Sequence, residues 1–172
     1  MATTDASDPD LGPWIRDRYS ISTDPALIDR GAVHRFLAES YWAAERPAEV
    51  IDRSIDGSLT FGLYHDGRQV GMARVVTDLA TFAWLCDVFI EPDHRGAGLG
   101  QWLVSVVTEH PSLQGFRTWL LGTSYSQSLY ARFGFVEVEP GRFMVRRQTQ
   151  GAEVGRTASP TASVPGPTLP ER

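Results

Sequence analysis

The segment Ile90-Glu91-Pro92-Asp93-His94-Arg95-Gly96-Ala97-Gly98-Leu99-Gly100-Gln101-Trp102 carries the clearest chemistry in the chain. An apolar run ends, a proline turns the chain, and an arginine with alternating glycines leads straight into a helical pattern. Main-chain N–H groups at a helix start attract anions, and the helix dipole adds to that attraction. Glycine lets a phosphate approach backbone that a Cβ would shield. Arg95 adds a permanent cation able to hold phosphate through two bonds. The predicted chemistry is diphosphate binding. A Walker loop would end in Gly-Lys-Ser/Thr, and the sequence contains no lysine. A dinucleotide fingerprint also fails, because the third glycine counted from Gly96 and Gly98 would fall at Gln101.

The elements that must hold this loop follow from periodicity. Residues 81–90 are apolar on both faces, as in a central buried strand. Leu99, Trp102, Leu103, Val106 and Val107 form an i, i+3, i+4, i+7, i+8 stripe, so a helix over 98–110 is predicted, stopped by Pro111. A strand over 116–121 follows. Strand, helix and strand make a βαβ unit, so the two strands should run parallel with a right-handed crossover. Upstream, 19–23 reads as a first strand, and Asp24-Pro25 as the start of a helix over 25–40. Pro47 opens a second helix bearing Val50, Ile51 and Ile55, and Tyr41–Arg46 forms an aromatic elbow between the two. Strands at 59–65 and 69–77 flank the hairpin signal Asp66-Gly67. Ser124-x-x-Gln127 fits a capping box for a short helix ending at Gly134. Strands at 135–138 and 142–145 would close the fold.

Composition narrows the function. The chain has 172 residues, enough for one domain with a sizeable core. Residues 1–13 and 148–172 are rich in small and polar residues and Pro, and are expected to be unstructured, leaving a folded part over roughly 14–147. The net charge is −5 and the arginines are scattered, so no basic face points to nucleic acid. No apolar run has the length of a membrane span. The single Cys86 excludes an internal disulfide, and the dispersed histidines lack metal-ligand spacing. A cytoplasmic, metal-free protein is expected; homodimerisation is left open.

The spacing Arg95-x-x-Gly98-x-Gly100 resembles the R/Q-x-x-G-x-G/A signature of the GNAT acyltransferase superfamily, and Leu129-Tyr130-x-x-Phe133-Gly134-Phe135 resembles its second recurring segment. Further blocks (His34–Leu37, Tyr41-Trp42, Phe61–Tyr64, Gly67–Gly71, Ala73–Asp78, Leu85–Phe89) are similar to a bacterial subgroup. Thr123 and Ser126 depart from the Asn and Ala often found there, and His94 stands where Tyr is common. The resemblance implies an α/β (α+β) single domain: a mixed central sheet of about six to seven strands, about four helices, and parallel strands 81–90 and 116–121 (the fourth and fifth of the predicted order) splaying apart.

It also implies a reaction and a site. The reaction is acetyl transfer from acetyl-CoA (coenzyme A) to an amine of a small metabolite, by direct attack in a ternary complex. Arg95, Gly96, Ala97, Gly98, Leu99 and Gly100 would hold the pyrophosphate; main chain at Val88, Phe89 and Ile90 would hold the pantetheine arm and polarise the thioester. Tyr130 would protonate the departing thiolate, since a phenol of pKa about 10 and a thiol of about 8.5 are close enough for transfer; the alternative is a core aromatic. Asp87, read as sharing a strand face with Leu85 and Phe89, would be a base whose pKa burial raises; the alternative is an anchor for the elbow or a strand bulge. Tyr41 and Trp42 would contact the acceptor or staple the helices, and Arg74 would face the acceptor or form a surface ion pair. Cys86 reads as core and His65 as solvated. Two other readings stay open: a non-catalytic acyl-CoA-binding or sensing module, and an acetyltransferase acting on a protein amine.

Overall fold

The computed structural model describes residues 10–146. The expectations for residues 1–9 and 147–172 lie outside the described residues. The described chain falls into two compact units, split between Val136 and Glu137. In the first, six strands form one sheet in sequence order: β1 (Trp14–Arg16), β2 (Tyr19–Ser22), β3 (Leu59–His65), β4 (Arg68–Thr77), β5 (Phe82–Ile90) and β6 (Thr118–Leu121). All neighbours are antiparallel except β5 and β6, which pair in parallel from Phe82↔Thr118 to Leu85↔Leu121. Four α-helices accompany the sheet: α1 (Arg30–Ala38), α2 (Ala48–Asp56), α3 (Leu99–Glu109) and α4 (Gln127–Ala131).

Two apolar clusters hold the layers together. Leu99, Leu103, Val104, Val106 and Val107 of α3 pack with Phe61, Leu63, Val75, Ala83 and Leu85 on one face. Phe36 and Leu37 of α1 and Ile51 and Ile55 of α2 meet Met72 and Phe89 on the other, where the Phe36 and Phe89 rings stack at 4.8 Å. Fully burying a side chain such as Phe61 or Leu103 contributes about 1.5–3 kcal/mol. Each face therefore anchors its helices through several such residues.

The first helix begins later than Asp24-Pro25 suggests. Asp24 instead caps a single 3-10 turn over Pro25–Leu27, accepting from Ala26 N–H, and Asp29 caps α1 by accepting from Ala32 N–H. Asp29 N–H donates to the buried side chain of Gln69 (2.8 Å), which ties the start of α1 to β4. A tertiary bond thus interrupts what local signals read as one helix.

β5 contains the irregularity that shapes the molecule. Met72 pairs with Phe89 and Arg74 with Cys86, so Ala73 alone faces both Asp87 and Val88. Asp87 sits at φ +50, in the left-handed region that non-glycine residues seldom enter. Two residues opposing one define a β-bulge, which bends its strand. The bulge also reverses the inward alternation: Leu85, Val88 and Ile90 join the α3 side, whereas Phe89 packs on the α1 side. Asp87 therefore does not share a face with Leu85, contrary to strict alternation. Beyond Leu85 the pairing with β6 ends, and β5 from Cys86 to Ile90 has an open edge.

Two further expectations are corrected. Residues 10–13 are engaged: Leu11 C=O accepts from Thr23 N–H (3.1 Å) and from the Ser22 hydroxyl (2.8 Å). The strands expected at 135–138 and 142–145 are not formed. In the second unit the described residues 137–146 hold one turn, with Gly141 at φ +86, and Phe143, Met144 and Val145 are exposed. A strand needs a ladder partner, and among the described residues 135–138 and 142–145 have none; Phe135 instead packs its ring on the α3-side cluster.

Candidate active site

After β5 the chain makes a 3-10 turn over Pro92–His94, passes Arg95 in extended conformation, and enters α3 through Gly98. Gly96 and Gly98 lie at φ +82 and +75, and Gly98 is the residue preceding the helix. No side chain caps α3, and its first internal bond runs from Trp102 N–H to Gly98 C=O (3.1 Å). The leading N–H groups are thus left for an anion. A Cβ built on Gly96 or Gly100 would meet nothing within 4 Å, so the loop borders open space a ligand can enter. Arg95 is held ready beside it. Its Nε donates to Ile90 C=O (2.8 Å), and its guanidinium lies 5.5 Å from the centre of the Phe89 ring. A second cation, Arg16 of β1, donates to Ala97 C=O (3.4 Å). Sequence reading missed Arg16 because β1 lies far from the loop in the chain and has no motif of its own.

The turn before Arg95 is braced from behind. The Tyr19 hydroxyl and His94 Nδ1 share a hydrogen bond (3.0 Å), and Arg68 reaches both Glu91 (2.7 Å) and His94 Nε2 (3.2 Å). His65 is only partly solvated, its ring tilted against Tyr19 at 4.6 Å and lying 5.1 Å from His94.

Two cavities flank the splayed end of β5. The first, about 640 Å³, runs from the glycine loop along Val88, Phe89 and Ile90 to Tyr130. The second, about 460 Å³, is walled by Arg46, Arg74, Trp84, Asp87 and Tyr125. Tyr41, Trp42, Val88, Ser126 and Tyr130 border both. Of the predicted loop residues, Ala97 does not line the first cavity. Phe89 turns its ring toward α1, so at the open edge it offers mainly backbone.

Tyr130 is nearly buried on α4 and packs with the α3-side cluster. Its hydroxyl has no hydrogen-bond partner among the described residues. Burial, with a smaller contribution from Tyr41, pushes its pKa above the ordinary phenol value, so it stays protonated at neutral pH. The predicted capping box is absent. The Ser126 side chain makes no cap bond, and Ser126 N–H instead donates to Thr123 Oγ1 (3.1 Å), because a tight turn already occupies the helix start.

Asp87 sits in a different environment from the apolar one predicted for it. Its side chain is 2% exposed, and every bond to it comes from a cation or an indole. Arg74 donates to Oδ2 through Nε (2.9 Å) and Nη2 (2.7 Å), Arg46 through Nη1 (3.0 Å), and Trp42 Nε1–H donates to Oδ1 (3.0 Å). Burial alone would push the carboxyl up, but the charges and hydrogen bonds of Arg74 and Arg46 outweigh it and hold its pKa below the usual carboxylate value. A carboxylate so held is a poor proton acceptor; its geometry is that of a clamp fastening the α1–α2 elbow to the bulge. Arg74 is correspondingly buried rather than at the surface, with Nη1 donating to Ser54 C=O (3.3 Å). Cys86 is only half buried and borders the second cavity, its thiol pushed up to about 11 by burial. Arg46 and Tyr125 were also missed: Arg46 hid at the end of the aromatic elbow, and Tyr125 in a loop with no signal.

Exposed aromatics crowd the mouth shared by the cavities. Tyr41 meets Trp42 (5.0 Å) and Tyr125 (5.4 Å) edge-on, and Ser124 N–H donates to the Tyr41 hydroxyl (3.3 Å).

Comparison with known proteins bears on this arrangement. A family model described as an acetyltransferase (GNAT) domain matches residues 56–137. A protein of Gibberella zeae, provisionally assigned as an acetyltransferase, is 34% identical over 123 residues, which span 60% of this chain and 68% of that one. A crystal structure from Xanthomonas campestris pv. campestris, provisionally assigned to the GNAT acetyltransferases, is 46% identical with a TM-score of 0.73, covering 75% of this chain and 92% of that one. The aminoglycoside N-acetyltransferase AAC(6')-Iy, solved in complex with CoA, shares the fold at 18% identity and a TM-score of 0.54, covering 75% and 93%.

Proposed function

This chain belongs to the GNAT acetyltransferase family, and on that premise we propose that it transfers an acetyl group from acetyl-CoA to an amine of a small metabolite, by direct attack in a ternary complex. The observation that carries the proposal is the position of Tyr130 in the wall common to both cavities. One cavity leads from it to the anion-binding helix start, and the other opens on the opposite side of the bulge.

Bound acetyl-CoA supplies an activated acetyl group on sulfur. The residues of the chain do the rest. Helix-start N–H groups at Leu99 and Gly100, with Arg95 and Arg16, neutralise the diphosphate. The open edge of β5 around Val88 and Ile90 offers backbone groups to the pantetheine arm and the thioester oxygen. An amine entering through the second cavity forms the new C–N bond as the C–S bond breaks. Its surplus proton leaves to water there, the Tyr130 hydroxyl donates a proton to the departing sulfur, and the resulting phenolate takes a proton back from water, so the amide, free thiol and original Tyr130 are left. Asp87 acts as a positioning residue, holding Trp42 and the elbow against the bulge. Holding both reactants in one geometry supplies a large part of the rate.

The test is release of free thiol from acetyl-CoA with a panel of amines. Turnover dependent on an added amine is the expected result. Tight CoA binding with no turnover on any amine would make the chain a binding module instead.

A further inference from the structure

The second cavity has a charge pattern that the transfer reaction does not explain. Two guanidinium groups, Arg46 and Arg74, face one carboxylate, Asp87. Arg74 is fully used, with Nε and Nη2 on Asp87 and Nη1 on Ser54 C=O and the Ser58 hydroxyl. Arg46 is not. Its Nη1 binds Asp87, while Nε and Nη2 have no partner among the described residues. Its side chain is 25% exposed and borders the cavity. One positive charge is therefore left over, with donors in the fork that matches a carboxylate. The clamp on Asp87 fixes that fork in place, which lowers the ordering cost of binding to it.

Much of the rest of the wall is aromatic. Trp42 and Trp84 are 41% and 43% exposed, and Tyr125 is 82% exposed, all bordering the same cavity. Large exposed aromatics grouped around one concavity mark a ligand surface rather than scattered exposure. Their faces accept apolar or cationic groups.

We propose that this cavity selects an amine acceptor bearing both a carboxylate and a flat apolar body, the carboxylate on the open side of Arg46 and the body against Trp42, Trp84 and Tyr125. The inference rests on the cavity being the acceptor side of the transferase. Amino acids with aromatic side chains have this chemistry; a plain alkylamine lacks both recognition groups, and a small amino acid lacks one.

The test uses the full chain loaded with CoA, which permits binding without reaction, and compares phenylalanine, its methyl ester and alanine by calorimetry. The ester removes the negative charge, and alanine removes the ring. Phenylalanine is expected to bind at least tenfold more tightly than either. In Arg46→Met the preference for acid over ester should collapse, and Arg46→Lys should restore part of it. Equal affinity of acid and ester for the native chain overturns the inference, and that comparison needs no variant to fold. So does absence of binding by all three. The two readings fail differently: no binding of CoA sinks the transferase assignment, whereas CoA binding with indifference to the carboxylate sinks only the acceptor class.

Discussion

Asp87 shows how strongly neighbours decide what a carboxyl does. Its pKa is held below 3.8, the ordinary value, by Arg74 and Arg46. In the folded state it therefore binds fewer protons than in the unfolded state around and below that value. The sign follows: its stabilisation is fully present above about pH 4, and is lost as pH falls through the depressed folded value. Asp87→Asn should cost about 3–5 kcal/mol, because it leaves two guanidinium groups facing an uncharged partner. Denaturant melts at pH 7 and at pH 3 check both points, the variant losing less on acidification than the native chain. Tyr130 has the opposite assignment, a raised pKa that keeps its proton available. Tyr130→Phe should lower kcat about a hundredfold with little change in KM. An unchanged kcat would return Tyr130 to the core.

Between Ile90 and Leu99 the decisive property is backbone shape. Gly98 precedes α3 at φ +75, and a Cβ there would come no closer than 3.7 Å to the Arg16 guanidinium. The obstacle to substitution is therefore conformational and not steric. Gly98→Ala should destabilise by about 1–2 kcal/mol and weaken CoA binding, as the helix-start amides turn away from the diphosphate. Arg95→Ala acts mainly on the ligand. It should raise the Kd for CoA about tenfold with only a small effect on the melting temperature of the free chain, since among the described residues its guanidinium meets no carboxylate, only Ile90 C=O and the Phe89 ring. Calorimetric titration with CoA, run beside thermal melts, separates the two variants.

The first unit, taken as a whole, is a sheet covered on both faces and opened at one end of β5. α1 and α2 cover one face and α3 the other, while β5 and β6 cease to pair where the bulge begins. A ligand filling that opening should stabilise the native state. CoA at about a hundred times its Kd should contribute about 2.7 kcal/mol and raise Tm by about 5–10 °C. A Tm unmoved by saturating CoA would contradict binding at the opening. No helix among the described residues is long and apolar enough to cross a membrane.

Much of this was legible in the chain. Local spacing showed the glycine loop, the α3 stripe, the hairpin at Asp66-Gly67 and the βαβ crossover, because each depends on neighbours a few residues away. Tyr130 was singled out through its motif, and it stands in the wall between two cavities. Contacts between distant segments were not legible. The bulge at Asp87 arises from pairing with β4, and it reversed the face that simple alternation assigns. The Arg74–Asp87–Arg46 clamp joins β4, β5 and the elbow, and Arg16 reaches the glycine loop from β1. Periodicity reports which side chains avoid water. It is silent on which charges meet once the sheet is assembled, and that meeting gives Asp87 the geometry of the alternative reading, an anchor for the elbow, and leaves Arg46 with donors to spare.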